Sequence, residues 1–231
     1  MSGGNVVSLR SDGRAELEAA IRAAAPKRDA SADAARLCAA FSSPAGALEA
    51  SATELQALGG LPSSLALVLS LVPDLARRRQ LERSFAAGTL VSAAQAGTLL
   101  RAMYLGERYE SCCLLALSAE GTPLRVDRVL SGTIDETPFY CRLIVEAALA
   151  SGGAAFVFAH NHPGGSDFAS GADVRSTERL MQALHALGLV LLDHVIIAGP
   201  KAISLRQEAL PARRDWLRYA PLPPAFSGWL G

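Results

Sequence analysis

The sequence predicts a mixed α+β protein: a small all-α unit, followed by a sheet flanked by helices. Three observations carry this. From about residue 15 to 87 the apolar residues recur at helical spacing, and Pro26, Pro44-Ala-Gly46 and Gly59-Gly60 punctuate them. From Gly88 onward, short apolar runs bounded by turn residues alternate with helical stretches. The chain has 231 residues, 50% of them apolar and 19% charged, which suits a soluble protein with two cores better than one.

In chain order, residues 1–14 are polar and Gly-rich and are expected to form a disordered tail. Residues 15–87 form the all-α unit, with helices expected at 16–25, 32–41, 53–57 and 62–85. Ser51-Ala-Thr-Glu54 is a capping box for the third of these. Pro62 suits the first turn of the fourth, and Pro73 would kink or split it. Residues 88–210 form the second unit: a helix at 92–104, strands at 111–118 and 124–130 joined by Glu120-Gly121, and a helix at 139–150 closed by Ser151-Gly152-Gly153. A buried strand at 154–159 follows, then a helix at 171–187 capped by Gly188, and strands at 189–198 and 202–205. The Pro-rich tail at 211–231 is expected to lie over the surface.

Charge, apolar runs and cysteine spacing narrow the functions without closing off a local basic patch. Twenty-two basic residues balance twenty-two acidic ones, so overall charge gives no support for binding DNA or an acidic membrane. The start lacks a basic segment followed by an apolar one, and no apolar run is long enough to span a bilayer. Cys38, Cys112, Cys113 and Cys141 form no C-x-x-C pair, which favours free thiols in a reducing cytoplasm.

The chemistry concentrates in His160-Asn-His162-Pro163. Two histidines in H-x-H spacing at a strand end project on one side, because side chains alternate with period two. Asp173 follows eleven residues after His162, in the first turn of a helix, with Ser170 three residues before it. Two imidazoles and a carboxylate, with a position left for water, form the ligand pattern of a catalytic rather than a structural zinc, although iron, manganese or cobalt would also fit. The competing reading of Ser170-x-x-Asp173 is an ordinary helix start. Asn161 cannot point the same way as its neighbours, so it is expected to secure backbone behind the ligands.

This segment resembles the JAMM (MPN-plus) metalloprotease motif, and its flanks resemble the bacterial RadC branch. The shared features are His160-Asn-His-Pro-Gly-Gly165, Ser170-Gly-Ala-Asp173 and Asp193-His194 in that order, over residues 90–210. Two departures stand out: Gly164 follows Pro163 where the motif has Ser, and Asp167 and Ala169 replace loop prolines, so a more flexible loop is expected. The resemblance implies an MPN/JAB (cytidine-deaminase-like) sheet, preceded by a degenerate helix-hairpin-helix-like domain. It implies one Zn2+ per chain, held by His160, His162 and Asp173, and hydrolysis of a peptide or isopeptide bond. It also requires a glutamate from an earlier strand, for which Glu110 is favoured over Glu107, because a strand start is better fixed than a turn. Glu110 would then move protons between water and leaving amine, and Ser170 would donate to the developing oxyanion. His194 stands where the family has a histidine, which would put it behind the metal; a hydrogen-bonded core histidine is the equal alternative.

The competing functions are a DNA-associated accessory protein, to which the RadC label of DNA repair belongs, and a non-catalytic MPN scaffold. The hairpin candidate Leu58-Gly59-Gly60-Leu61 has Leu61 where a second glycine belongs, and no basic residue lies between Arg36 and Arg77, so no residue is assigned to DNA binding. Arg77-Arg78-Arg79 and Arg83 read as a solvated face. The expected partner is therefore a peptide or protein substrate. Self-association is left open.

Overall fold

The computed structural model describes residues 13–86, 88–90, 92–131, 137–208, 216 and 218–230. The chain divides into two compact units, Met1–Arg78 and Arg79–Gly231.

The first unit comprises α1 (Arg14–Ala24), α2 (Ala30–Phe41), α3 (Pro44–Leu48), α4 (Ala52–Ala57) and the start of α5 (Ser63–Phe85). Arg14 already opens α1; the rest of the expected tail, residues 1–12, lies outside the described residues. Pro44-Ala-Gly46, read above as punctuation, instead opens α3: Ser43 caps it through the Gly46 N–H, and Pro44 fills the first turn, where its missing N–H costs nothing. The unit closes around Leu17, Ile21, Leu37, Leu55, Leu65 and Leu69. Asp33 is buried, and Arg28 and Arg36 hold its carboxyl below the ordinary range, Arg28 contributing most. α5 continues through Pro73 as one helix, burying Leu65, Ala66 and Leu69 and exposing Leu67, Val68, Leu71, Val72 and Leu75.

The second unit is built on a five-stranded sheet flanked by helices. Its elements are α6 (Ala93–Met103), β1 (Ser111–Leu117), β2 (Pro123–Ser131), α7 (Thr137–Ser151), β3 (Ala155–Asn161), α8 (Gly171–Ala186), β4 (Val190–Ala198), β5 (Lys201–Ser204) and α9 (Leu205–Glu208). The strand order is β2-β1-β3-β4-β5. Among the described residues, only β3 and β4 run parallel, with α8 as their crossover.

Alternation along the strands sorts the core into two layers. Cys113, Leu115, Leu117, Val157 and Ala159 pack with α6, whereas Cys112, Leu114, Ala116, Phe156 and Phe158 pack with α7 and α8. The C-terminal segment contradicts the expectation of a surface tail. A 3-10 turn at Pro224–Leu230 puts Phe226 and Trp229 into the α6 layer, and Trp216 is buried in the other. The expected tail residues 211–215, 217 and 231 lie outside the described residues. Among the described residues, no helix is long and apolar enough to cross a membrane.

Candidate metal centre

The parity of β3 positions the site. Phe156 and Phe158 face α7 and α8, so His160 faces them too, buried to 3% exposure, and His162 follows one step beyond the strand. The His162 N–H donates to the Ile197 carbonyl at 2.8 Å and holds the chain on β4 for that extra residue. The chain then turns through Pro163–Ala169 and enters α8 with Ser170 as N-cap. Ser170 Oγ accepts the Asp173 N–H at 3.1 Å, and Asp173 Oδ2 accepts the Ser170 N–H at 2.7 Å. The helix start is thus a complete capping box, and its acid also faces the histidines. Asp173 Oδ1 lies 3.3 Å from His160 Nε2, Asp173 Oδ2 lies 3.9 Å from His162 Nε2, and the two Nε2 atoms are 2.9 Å apart. Ligand atoms from all three residues fall within 4.8 Å of one another.

The chemistry of this cluster fits a cation. His162 Nδ1 is 2.8 Å from the Ser166 carbonyl, which can only accept, so Nδ1 carries a hydrogen and Nε2 is the nitrogen turned toward His160 and Asp173. Burial pushes His160 down to about 4; neighbouring Asp173 opposes the shift, and His162 adds to it. A neutral imidazole is the form that ligates metal. Two imidazole nitrogens and a carboxylate oxygen, half-open to solvent, suit zinc with a position left for water.

Glu110 immediately precedes β1. The β1–β3 register pairs Cys112 with His160, so continuing it sets Glu110 opposite His162, on the same face. Asn161, on the other face, fixes this segment from both sides: its Nδ2 donates to the Tyr109 carbonyl at 3.1 Å, and its Oδ1 accepts the Ser111 N–H at 2.8 Å. Those are the peptide groups on either side of Glu110. Glu107 is occupied elsewhere, 2.7 Å from the Arg128 guanidinium.

Asp193 and His194 project to opposite faces of β4. Asp193 is fully buried and accepts from the Ser204 hydroxyl, Trp229 Nε1 and the His194 and Arg206 N–H groups. Burial raises it to about 6 despite these donors. His194 faces the site. Its Nε2 is 2.7 Å from His160 Nδ1, its Nδ1 is 2.6 Å from Thr177 Oγ1, and burial holds it well below the usual histidine range. Sequence reasoning missed Thr177, although its spacing of four from Asp173 places both on one face of α8. His185 is exposed, with its ring 5.8 Å from that of Tyr219.

The loop expected to be more flexible carries a tether: Asp167, standing where a proline was expected, pairs with Lys201 at 2.5 Å. In the first unit, the hairpin at Gly59-Gly60 turns its polar groups inward. The Gly60 and Leu61 N–H groups donate to Gln56 and Leu55, and the Gly59 carbonyl accepts from Arg36 Nε. A side chain at Gly59 would meet Leu37 and the Leu55 carbonyl at 2.5 and 2.6 Å, and Gly60 has φ +62°, so glycine is required at both. Arg77 pairs with Asp74.

Comparison with known proteins agrees with this architecture. Residues 90–210 match the RadC-like JAB domain. A UPF0758 protein of Thiobacillus denitrificans is 38% identical over 140 residues, covering 61% of this chain and 62% of that one. One of Bordetella bronchiseptica is 36% identical over 160 residues, 69% of this chain and 71% of the relative. One of Chromobacterium violaceum is 33% identical over 182 residues, 79% of each. The chain spans about three fifths of the length of the first of these relatives, and just over two thirds of the second. With the domain match covering residues 90–210, this chain belongs to the RadC family.

Proposed function

We propose that this protein is a metal-dependent hydrolase that opens a peptide or isopeptide bond. The observation that carries the reading is the convergence of His160 Nε2, His162 Nε2 and the Asp173 carboxylate at the end of β3. When bound there, zinc supplies Lewis acidity and brings a water toward ionisation near neutral pH.

Glu110 takes the proton of the attacking water and returns it to the leaving amine. Asn161 holds the peptide groups on both sides of Glu110 and so fixes the backbone that carries this carboxylate. Ser170 Oγ accepts from the Asp173 N–H and, among the described residues, has no acceptor for its own hydrogen. That hydrogen is available to the oxyanion of a tetrahedral adduct. The residue before Glu110 and the second residue before Ser170 are Tyr109 and Phe168, 71% and 79% exposed. Exposed rings beside both catalytic groups suit a polypeptide substrate. The four free cysteines support a reducing, cytoplasmic setting.

The test has two stages. Elemental analysis of the purified chain should give about one zinc per chain, lost in a His160→Ala/His162→Ala variant. The zinc-loaded chain should then cleave members of a mixed peptide and isopeptide library, read by mass spectrometry, while Glu110→Gln does not. A zinc-loaded wild type with no cleavage beyond that of Glu110→Gln would end the hydrolase reading.

A further inference from the structure

Three buried side chains form a hydrogen-bond chain that runs back from the ligand His160: His160 Nδ1 to His194 Nε2 at 2.7 Å, His194 Nδ1 to Thr177 Oγ1 at 2.6 Å, and Thr177 Oγ1 to the Asp173 carbonyl at 2.6 Å. His160, His194 and Thr177 are 3%, 1% and 2% exposed, so water does not substitute for any link. The hydrogens in this chain can be placed one after another. The Asp173 carbonyl can only accept, so the Thr177 hydroxyl gives it its single hydrogen. Thr177 Oγ1 must then accept, which puts the His194 ring proton on Nδ1. His194 Nε2 is left with a lone pair, and it accepts from His160 Nδ1–H. His160 Nε2 therefore carries no hydrogen and turns a lone pair toward His162 Nε2 at 2.9 Å and the Asp173 carboxylate at 3.3 Å, the arrangement that a cation between them would satisfy.

We infer that Thr177 is a positioning residue for the metal centre: acting through His194, it fixes the tautomer of His160 and so keeps the ligating nitrogen unprotonated. The device starts and ends on the same ligand set. α8 supplies both Asp173 and Thr177, one turn apart, so the helix that delivers the carboxylate also orients the histidine opposite it. Reversing the chain would require Thr177 to turn its hydrogen away from the Asp173 carbonyl and leave two oxygens 2.6 Å apart with no hydrogen between them. The inference rests on the proposal that His160, His162 and Asp173 hold a cation, but not on amide hydrolysis.

The test reads tautomers and metal affinity, not turnover. Long-range 1H–15N correlation on the histidine-labelled full chain distinguishes Nδ1–H from Nε2–H rings. The metal-free wild type should show His160 and His194 both protonated on Nδ1, with exposed His185 as internal reference. Thr177→Val removes the hydroxyl while keeping the shape. His194 should then move its proton to Nε2 and His160 to its own Nε2. Zinc affinity, measured by competition with a chromophoric chelator, should fall roughly 10–100-fold, the usual effect of losing such a support. Thr177→Ser keeps the hydroxyl and should restore both signatures. An Nε2–H signature for His160 in the wild type would overturn the inference, and so would unchanged zinc affinity in Thr177→Val. If Thr177→Val does not fold, the wild-type tautomers and the Thr177→Ser affinity still decide. Failure of the hydrolase reading looks different: zinc bound, the expected tautomers present, and no cleavage.

Discussion

Ser51-Ala-Thr-Glu54 at the start of α4 and Ser170-Gly-Ala-Asp173 at the start of α8 are the same local device. In each, the serine caps the third N–H of the helix and the acid reaches back to the serine N–H. They differ in where the remaining atoms point. Glu54 Oε2 accepts both the Ser51 N–H and the Ser51 hydroxyl at 2.8 Å, so that box closes on itself. The shorter Asp173 caps with Oδ2 alone and leaves Oδ1 3.3 Å from His160 Nε2, while the Ser170 hydroxyl hydrogen stays uncommitted among the described residues. A helix start becomes a candidate metal ligand because β3 ends opposite it, and nothing within the four residues announces the change.

The largest effect expected from breaking the parallel comes from removing the two acids. Asp173→Ala and Glu54→Ala should each cost about 1 kcal/mol of stability in the metal-free chain, the ordinary contribution of a cap. Only Asp173→Ala should lose zinc, from about one ion per chain to a small fraction. Elemental analysis beside thermal melts in a chelator separates the two. Equal zinc content in both variants would mean that Asp173 is a cap and nothing more.

The next largest effect lies with the glutamates. Glu110→Gln should keep zinc and the fold and slow hydrolysis by about 10²–10⁴. Glu107→Gln loses an ion pair with Arg128 that is partly exposed, and should change stability by less than about 1 kcal/mol with turnover retained. The reverse pattern would transfer the proton shuttle to Glu107.

The serines sharpen the comparison further. Ser51→Ala and Ser170→Ala should lose similar stability, about 1 kcal/mol each. Ser170→Ala should additionally lower kcat by roughly 10²–10³ if its hydroxyl stabilises the oxyanion. A pair of variants that differ in neither property would return Ser170 to the role that Ser51 has.

What was legible in the sequence follows the same division between local and tertiary causes. The sheet and its flanking helices were readable because strand alternation and helix caps are local, and the H-x-H pair was readable because parity alone puts both rings on one side. Helix α3 was missed although Ser43-Pro44 carries a helix-start signal, because Pro and Gly so close together also mark a turn. The burial of Trp229 was not legible: its indole N–H meets Asp193 across 36 residues, and the prolines around it suggested a surface strap. Thr177 was partly legible, since position four after Asp173 shares its face. The missing information was that His194 on β4 would face α8 and meet it. Asn161 was read as securing backbone, but that the backbone was the segment carrying Glu110 depended on the pairing of β1 with β3.

The smallest expected effect concerns what stands behind each box. Behind Asp173 lie buried His160 and His194, both held below the ordinary histidine pKa, His160 at about 4. Unfolding lets these rings take up protons from about pH 6.5 downward, so the unfolded chain binds more protons and the metal-free fold weakens as pH falls toward 4. Asp193, raised from 3.8 to about 6, acts in the opposite direction: the folded state holds its proton between those values, and stability falls as pH rises through that window. Near pH 5 two histidines act against one aspartate, so stability should rise with pH. Asp193→Asn removes the opposing group and should make that rise steeper, roughly twofold, whatever it does to absolute stability. Urea midpoints between pH 4.5 and 6 measure both slopes. A slope that flattens in Asp193→Asn would mean that the histidines take up protons inside the folded protein, and the neutral imidazoles required of the ligand set would not be the state in which this chain folds.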